Sequence, residues 1–404
     1  MILNGAGLRG MAIRGGRTIQ HKMAPEDSLR GTAAAVAHWL DTQGAPVQAP
    51  LQLSQIAGGQ SNLTYHLRDD AGRRFVLRRP PTGQVLETAH NMSREWRFLV
   101  ALHGTDVPVP APVAFCEDSS VIGAPFYVMD HVDGLILHNA DDAAALPASA
   151  RAPVAAGVAA TLRHLHHIDV SACGLSGIGR GEDYIGRQLR RWQRQWQQSS
   201  SLADLKISAV DEAHRVLSST IPHQDSVSVV HGDFRLGNMI VGGDGSIRAV
   251  LDWELATLGD PRADLGWLLL SWDEPGERRV SSPLGTPPST LPGFKTRSEL
   301  VAAYHADQAT GADAADLDYF VAFAAWRWAC ISAGVYARYK ANVMGGRSGD
   351  MAGILQTILD HAGYALALLG TTTQRRKTPE RLPCRYDKCT SEHPATKGKR
   401  RDGL

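Results

Sequence analysis

The apolar pattern of this chain shifts near Gly134 from mainly strand-like runs to mainly helical spacing, and that shift restricts the fold more than any other feature. Before it, short apolar runs cover Leu51 to Ile56, Leu63 to Leu67 and Arg74 to Arg78, and the turn Asp69-Asp70-Ala71-Gly72 closes the last two into a β-hairpin. A helix with Val36, Trp39 and Leu40 on its apolar side is predicted from Ser28 to Leu40, and a second from about Ala89 to Leu102. The Pro-rich connector VPVPAP then leads to a strand pair through Phe126 to Val132. Beyond Gly134, Val154, Val158, Leu162 and Leu165 recur with helical spacing. Helical patterns also cover Tyr184 to Gln198, Ala209 to Ser218, Glu299 to Asp307, Asp316 to Tyr339 and Met351 to Leu369. One β island interrupts them: Val227–Val230, Met239–Val241 and Ile247–Leu251, with Gly242-Gly243-Asp244-Gly245 as its turn. The expectation is an α+β chain with two lobes. A small β-rich lobe occupies 26–133 and a larger, mainly helical lobe 134–370, between a disordered arm at 1–25 and a disordered basic tail at 371–404.

With 404 residues, the chain is long enough for two lobes with sizeable cores. A formal net charge of +1 argues against a general nucleic-acid binder, although the tail from Thr371 onward holds ten Lys or Arg against four Asp or Glu. No apolar stretch approaches the roughly 18 residues of a membrane helix, so no membrane partner is expected. The N-terminus carries Arg9, Arg14 and Arg17 but lacks the apolar core of a signal peptide. Cys116, Cys173, Cys330, Cys384 and Cys389 show no paired spacing, which suits free thiols in a reducing cytoplasm. Cys384 and Cys389, with His393 alone nearby, fall short of a four-ligand zinc set.

The string HGDFRLGNMI, 231–240, places Asp233 just after an apolar strand and Asn238 five positions later; Leu251-Asp252-Trp253-Glu254 ends a neighbouring strand. Phosphoryl transfer needs such a set. One carboxylate orients an acceptor hydroxyl and takes its proton, while an amide and a second carboxylate hold Mg²⁺ on the phosphates. A turn in which Asp caps its own backbone explains the tripeptide HGD alone, but not the whole constellation. For Asp260 and Asp264, in GDPRADLGW, helix N-capping is a sufficient reading, and Glu254 also reads more simply as a structural acid.

HGDFRLGNMIV followed by AVLDWELATLGDPRADLGWLL resembles the aminoglycoside phosphotransferase/choline kinase family, from about Leu53 to Gly370. The resemblance implies a bilobal protein-kinase-like fold and an ATP- and Mg²⁺-dependent transfer to a small-molecule hydroxyl. It implies Asp233 as catalytic base, Asn238 and Asp252 as Mg²⁺ ligands, and Asp264 as a buttress of the loop. On the nucleotide side it points to Gly58, Gly59, Ser61 and Asn62 as a phosphate loop between strands, and to Met129 and His131 at the hinge. The family's phosphate-binding lysine is replaced here by Arg78, followed by Arg79; strand alternation from Val76 favours Arg78, and Glu95 is its expected partner. His131 and His231 are expected to be structural, since the reaction needs neither as a base.

AAWRWACISAGVYARY, with FYVMDHVDG and LATLGDPRADLGWLL, is most similar to the kinase-like domains fused to some acyl-CoA dehydrogenases. That similarity implies a hydroxyacyl thioester as acceptor. Trp326, Arg327, Trp328, Tyr336, Arg338, Tyr339 and Lys340 are expected to line the acceptor side, with Asp273 and Glu274 as the main nearby acids. An aminoglycoside or amino-alcohol kinase, a non-catalytic kinase-shaped nucleotide-binding protein and a metal-dependent hydrolase are the rival readings.

Overall fold

The computed structural model describes residues 26–56, 62–81, 85–277, 279–280, 285–306, 314–341 and 350–377. They form two compact units, one built from the residues up to Ala89 with Val113–Met129, the other from His90–Pro112 and the residues from Asp130 onward.

In the first unit, helix α1 (Glu26–Thr42) buries Val36 and Leu40 against a sheet. Strands β1 (Gln52–Ile56), β2 (Leu63–Arg68) and β3 (Arg74–Arg79) pair antiparallel, with Leu53 opposite Leu67 and Tyr65 opposite Leu77. Tyr65 and Leu67 are buried while His66 and Arg68 point outward, the alternation of a half-buried strand. The β2–β3 turn is held by Asp69, whose carboxylate accepts from the amides of Gln48 and Arg73 and from the Arg73 guanidinium. After helix α2 (Val85–Leu102), β4 (Pro112–Cys116) and β5 (Phe126–Asp130) complete a five-stranded sheet in the order β1-β2-β3-β5-β4.

The second unit is mainly helical: α3 (Ala140–Ala144), α4 (Ala148–His166), α5 (Tyr184–Ala203) and α6 (Ser208–Ser219) precede its strands. These are β6 (Ser228–Val230), β7 (Met239–Val241), β8 (Ile247–Val250) and β9 (Thr257–Gly259). The expected single island is in fact two ribbons, β6 with β9 and β7 with β8. A three-residue strand such as Thr257-Leu258-Gly259 has no readable period, so sequence patterning passes over it. Helices α7 (Arg262–Leu270), α8 (Arg297–Tyr304), α9 (Ala314–Lys340) and α10 (Met351–Lys377) follow. The last helix runs past Gly370, where a disordered tail was expected to begin.

Helices α9 and α10 are long and apolar enough to cross a membrane by length and composition, contrary to the sequence expectation. In α9, 78% of the apolar window is buried inside the protein, and Phe320, Phe323 and Trp326 sit at the centre of the core. The acids of GDPRADLGW have structural partners: Asp260 accepts from the Arg262 amide and guanidinium, and Arg262 also reaches Asp316 at 3.0 Å.

Helix α7 crosses α9 at Gly266, where an added methyl would lie 2.6 Å from the backbone carbonyl of Phe320. Neither backbone can yield without moving a buried helix. Gly266→Ala is therefore expected to destabilise the protein by about 1–3 kcal/mol, read as a lower midpoint of thermal unfolding. An unchanged midpoint would show that the two helices are free to separate.

Candidate active site

The loop after β6 is pinned by a buried carboxylate. Asp264, in the first turn of α7 and 1% exposed, accepts from the amides of His231 at 2.6 Å and Gly232 at 2.8 Å. Gly232 has φ +83°, and a methyl there would meet the Leu255 side chain at 3.0 Å, so glycine suits the position twice over. The His231 ring is a bracket. Its Nε2 lies 2.9 Å from the Leu251 carbonyl, which can only accept, so Nε2 carries the proton and Nδ1 accepts from the Asp233 amide at 3.2 Å.

Asp233 emerges from this bracket with both carboxylate oxygens held. Oδ1 accepts from the Trp267 indole at 2.7 Å and faces the Arg235 guanidinium at 3.3 Å. Oδ2 accepts from the Asn238 amide at 2.7 Å, and the same nitrogen donates to the Asp233 carbonyl. The side chain keeps 22% of its surface exposed, enough for an incoming group to reach an oxygen. Sequence reasoning did not single out Trp267 or Arg235. Trp267 had a signal, since it stands three residues after Asp264 and so shares its helix face.

Asn238 directly precedes β7, and its carbonyl accepts from the Leu251 amide at 2.8 Å, which brings Asp252 alongside. Asp252 has φ 68° and ψ 60°, a left-handed backbone that costs a non-glycine residue about 1 kcal/mol or more. There it joins Glu95 and Glu254, with ligand oxygens from all three within 4.8 Å of one another. Glu95, 1% exposed, is a buried acid of this cluster rather than a solvated helix residue. Glu254, which sequence alone reads as structural, belongs to it too. Hard oxygen donors in this number suit a small divalent cation such as Mg²⁺.

On the nucleotide side, Gly58, Gly59 and Ser61 lie outside the described residues. Asn62 is half-buried immediately before β2. Arg79 is buried and donates to the carbonyls of Pro80 and Ile122, whereas Arg78, opposite Thr64, is half-buried. Met129 is buried at the end of β5, and His131 lies 3.7 Å from Asp133.

Beside Asp233, Arg235 and Trp267 line a cleft. Leu137, Leu236, Leu270, Pro288 and Trp328 make it mainly apolar; His138, Asp273 and His361 add polar groups. Asp273 is already engaged, accepting from Arg279 at 2.8 Å, and burial pushes its carboxyl upward. Burial pushes His361 down to about 4, so its ring is neutral at pH 7. The acceptor wall expected from α9 is not assembled as such. Trp328 lines the cleft, but Trp326 donates to the Val210 carbonyl, Lys340 to the Ala203 carbonyl, and Glu274 accepts from the Arg297 amide. A core helix turns only one face to any cleft.

Arg327 is 5% exposed and its guanidinium lies 4.3 Å from the centre of the Trp267 ring and 5.1 Å from that of Trp192. Its Nε has no hydrogen-bond partner. Burying an unpaired cation costs several kcal/mol, offset here by two indole faces worth about 1–2 kcal/mol each when desolvated. Burial accordingly lowers its affinity for the proton, against the pull of the nearby Tyr184 oxygen, Asp233 and Asp264.

The chain matches the phosphotransferase enzyme family over residues 52–286. Acyl-CoA dehydrogenase family member 11 of Gallus gallus is 37% identical over 297 residues, covering 72% of this chain and 37% of that protein. The chain thus spans little more than a third of that relative's length. A solved structure from Ralstonia eutropha, provisionally assigned as an aminoglycoside phosphotransferase, is 31% identical with a TM-score of 0.67 and covers 84% of this chain and 98% of its own. Choline kinase from Cryptosporidium parvum shares the fold at 13% identity, with a TM-score of 0.51 over 81% of this chain and 89% of its own. The bilobal kinase-like architecture and the extent of the match make this chain a member of the phosphotransferase enzyme family.

Proposed function

We propose that the protein transfers the γ-phosphate of ATP to the hydroxyl of a small acceptor with an apolar stem, a hydroxyacyl-CoA-type metabolite. One observation carries this reading: Asp233 is held at both oxygens beside an apolar cleft whose other acid, Asp273, is already paired with Arg279. In this reading Asp233 orients the acceptor hydroxyl and takes its proton as the oxygen bonds to the γ-phosphorus; the bond to the β-phosphate oxygen breaks and ADP leaves. Asn238 and Asp252 would hold Mg²⁺, with Glu254 and Glu95 beside them. The ion would neutralise phosphate charge. Gly58, Gly59, Ser61, Asn62 and Arg78 would cradle the phosphates, and Met129 and His131 would meet the base.

The acceptor assignment rests on charge. A polycationic aminoglycoside needs acids that are free to pair with its ammonium groups, and the cleft offers apolar walls, a neutral His361 and a cationic Arg235 instead. The name of the Gallus gallus relative, an acyl-CoA dehydrogenase, adds weight to an acyl thioester.

Three measurements test the reading. Asp233→Asn should bind ATP with near-normal affinity and lose ~10²–10⁴ in turnover, because an amide keeps the shape but accepts no proton. Turnover within threefold of wild type would remove Asp233 from the base role. Asp252→Ala should weaken nucleotide binding and turnover together, with partial rescue by added magnesium; an unchanged magnesium dependence would move the metal elsewhere. In an ATP-consumption screen of aminoglycosides, choline-like amines, homoserine-like amino alcohols and hydroxyacyl-CoAs, the last class should respond. Strong kanamycin phosphorylation with hydroxyacyl-CoA untouched would overturn the acceptor assignment.

A further inference from the structure

We infer that Arg327 is a positioning residue for phosphoryl transfer, acting on Asp233 through the Trp267 indole that lies between them. This role rests on the phosphotransfer reading above. The indole contacts the guanidinium across its face, at 4.3 Å, and donates from its edge to Asp233 Oδ1 at 2.7 Å. A cation over the face draws electron density from the ring, so its N–H becomes a better donor to the carboxylate. The same contact fixes the ring plane, and with it the direction of the N–H.

The burial of Arg327 makes little sense as a contribution to stability alone. A residue of similar length without charge would fill the same space and leave no Nε without a partner. Nor is the guanidinium a substrate ligand, since it does not line the cleft; the indole does. Trp192 covers it at 5.1 Å, so the cation is kept dry between two rings. A dry cation exerts a stronger field on Asp233 than a solvated one at the same distance. The arrangement holds positive charge beneath the base without offering an ammonium or guanidinium hydrogen bond that would occupy the remaining lone pairs of the carboxylate.

The test is a double-mutant cycle on the full chain, combining Arg327→Met and Trp267→Phe, with Arg327→Lys as the charge-conserving variant. Turnover and KM are measured for MgATP with the acceptor class that responds in the ATP-consumption screen, beside thermal unfolding. Arg327→Met should lower kcat about tenfold with KM for ATP within about twofold of wild type. In the Trp267→Phe background it should lower kcat less than about twofold further, and Arg327→Lys should recover part of the loss. Additive losses in kcat, or a loss confined to KM, would each overturn the role. If Arg327→Met does not fold, Arg327→Lys and Arg327→Gln carry the same cycle. A wild type that transfers phosphate to none of the screened acceptor classes would instead defeat the phosphotransfer reading, and this role with it, whereas an active wild type with additive losses defeats the role alone.

Discussion

Two hydrogen bonds from the backbone of His231 and Gly232 to the buried carboxylate of Asp264 hold the rest of the site in place. They fix the loop that carries Asp233 to the first turn of α7. The same helix, one turn on, supplies the Trp267 indole that holds the Asp233 carboxylate itself. Backbone and side chain of Asp233 are thus referenced to one rigid element. Gly266 lies between the two anchors, where α7 touches the backbone of Phe320 in α9, so the helix that holds Asp233 is itself set by the core. A charged acceptor buried with two charge-assisted donors is worth far more than either bond in water, because the low dielectric strengthens both.

The distribution of charge follows from that arrangement. Asp233, Asp264, Asp252, Glu95 and Glu254 concentrate negative charge in one region of the helical unit. Main-chain amides neutralise Asp264, an indole and an amide hold Asp233, and Arg235 and Arg327 contribute nearby cations. Three clustered carboxylates with their hard oxygens would suit the divalent ion of the proposed reaction.

In the proposed reading, the cleft beside Asp233 selects an acceptor by what it withholds. Arg279 donates to Asp273 and to the carbonyls of Leu269, Leu270 and Trp272, so one buried cation both closes the end of α7 and removes the cleft's acid from service. Burial keeps His361 neutral. What remains is a mainly apolar cleft lined also by the Arg235 guanidinium, chemically remote from a pocket for polyamines.

The chain by itself determined the two-part architecture and the chemistry of the loop. The change of period at Gly134 separates strands from helices because side-chain direction repeats every two residues in one and about every three and a half in the other. The spacing of Asp233, Asn238 and Asp252 is local, since each stands at the end of a short strand, and local spacing survives folding. Partners supplied across the fold were not legible. Trp267 holds Asp233 from 34 residues away, Glu95 meets Asp252 from helix α2, and β9 pairs with β6 across the segment that carries Asp233, Asn238 and Asp252. The expected wall of Trp326, Arg327 and Lys340 failed for a related reason. Residue type announced aromatic and basic groups, but the rotation of α9 decided which of them face a cleft and which serve the core. Tertiary packing made that choice, because burial in a helix depends on what lies against each face and not on the sequence of the helix alone.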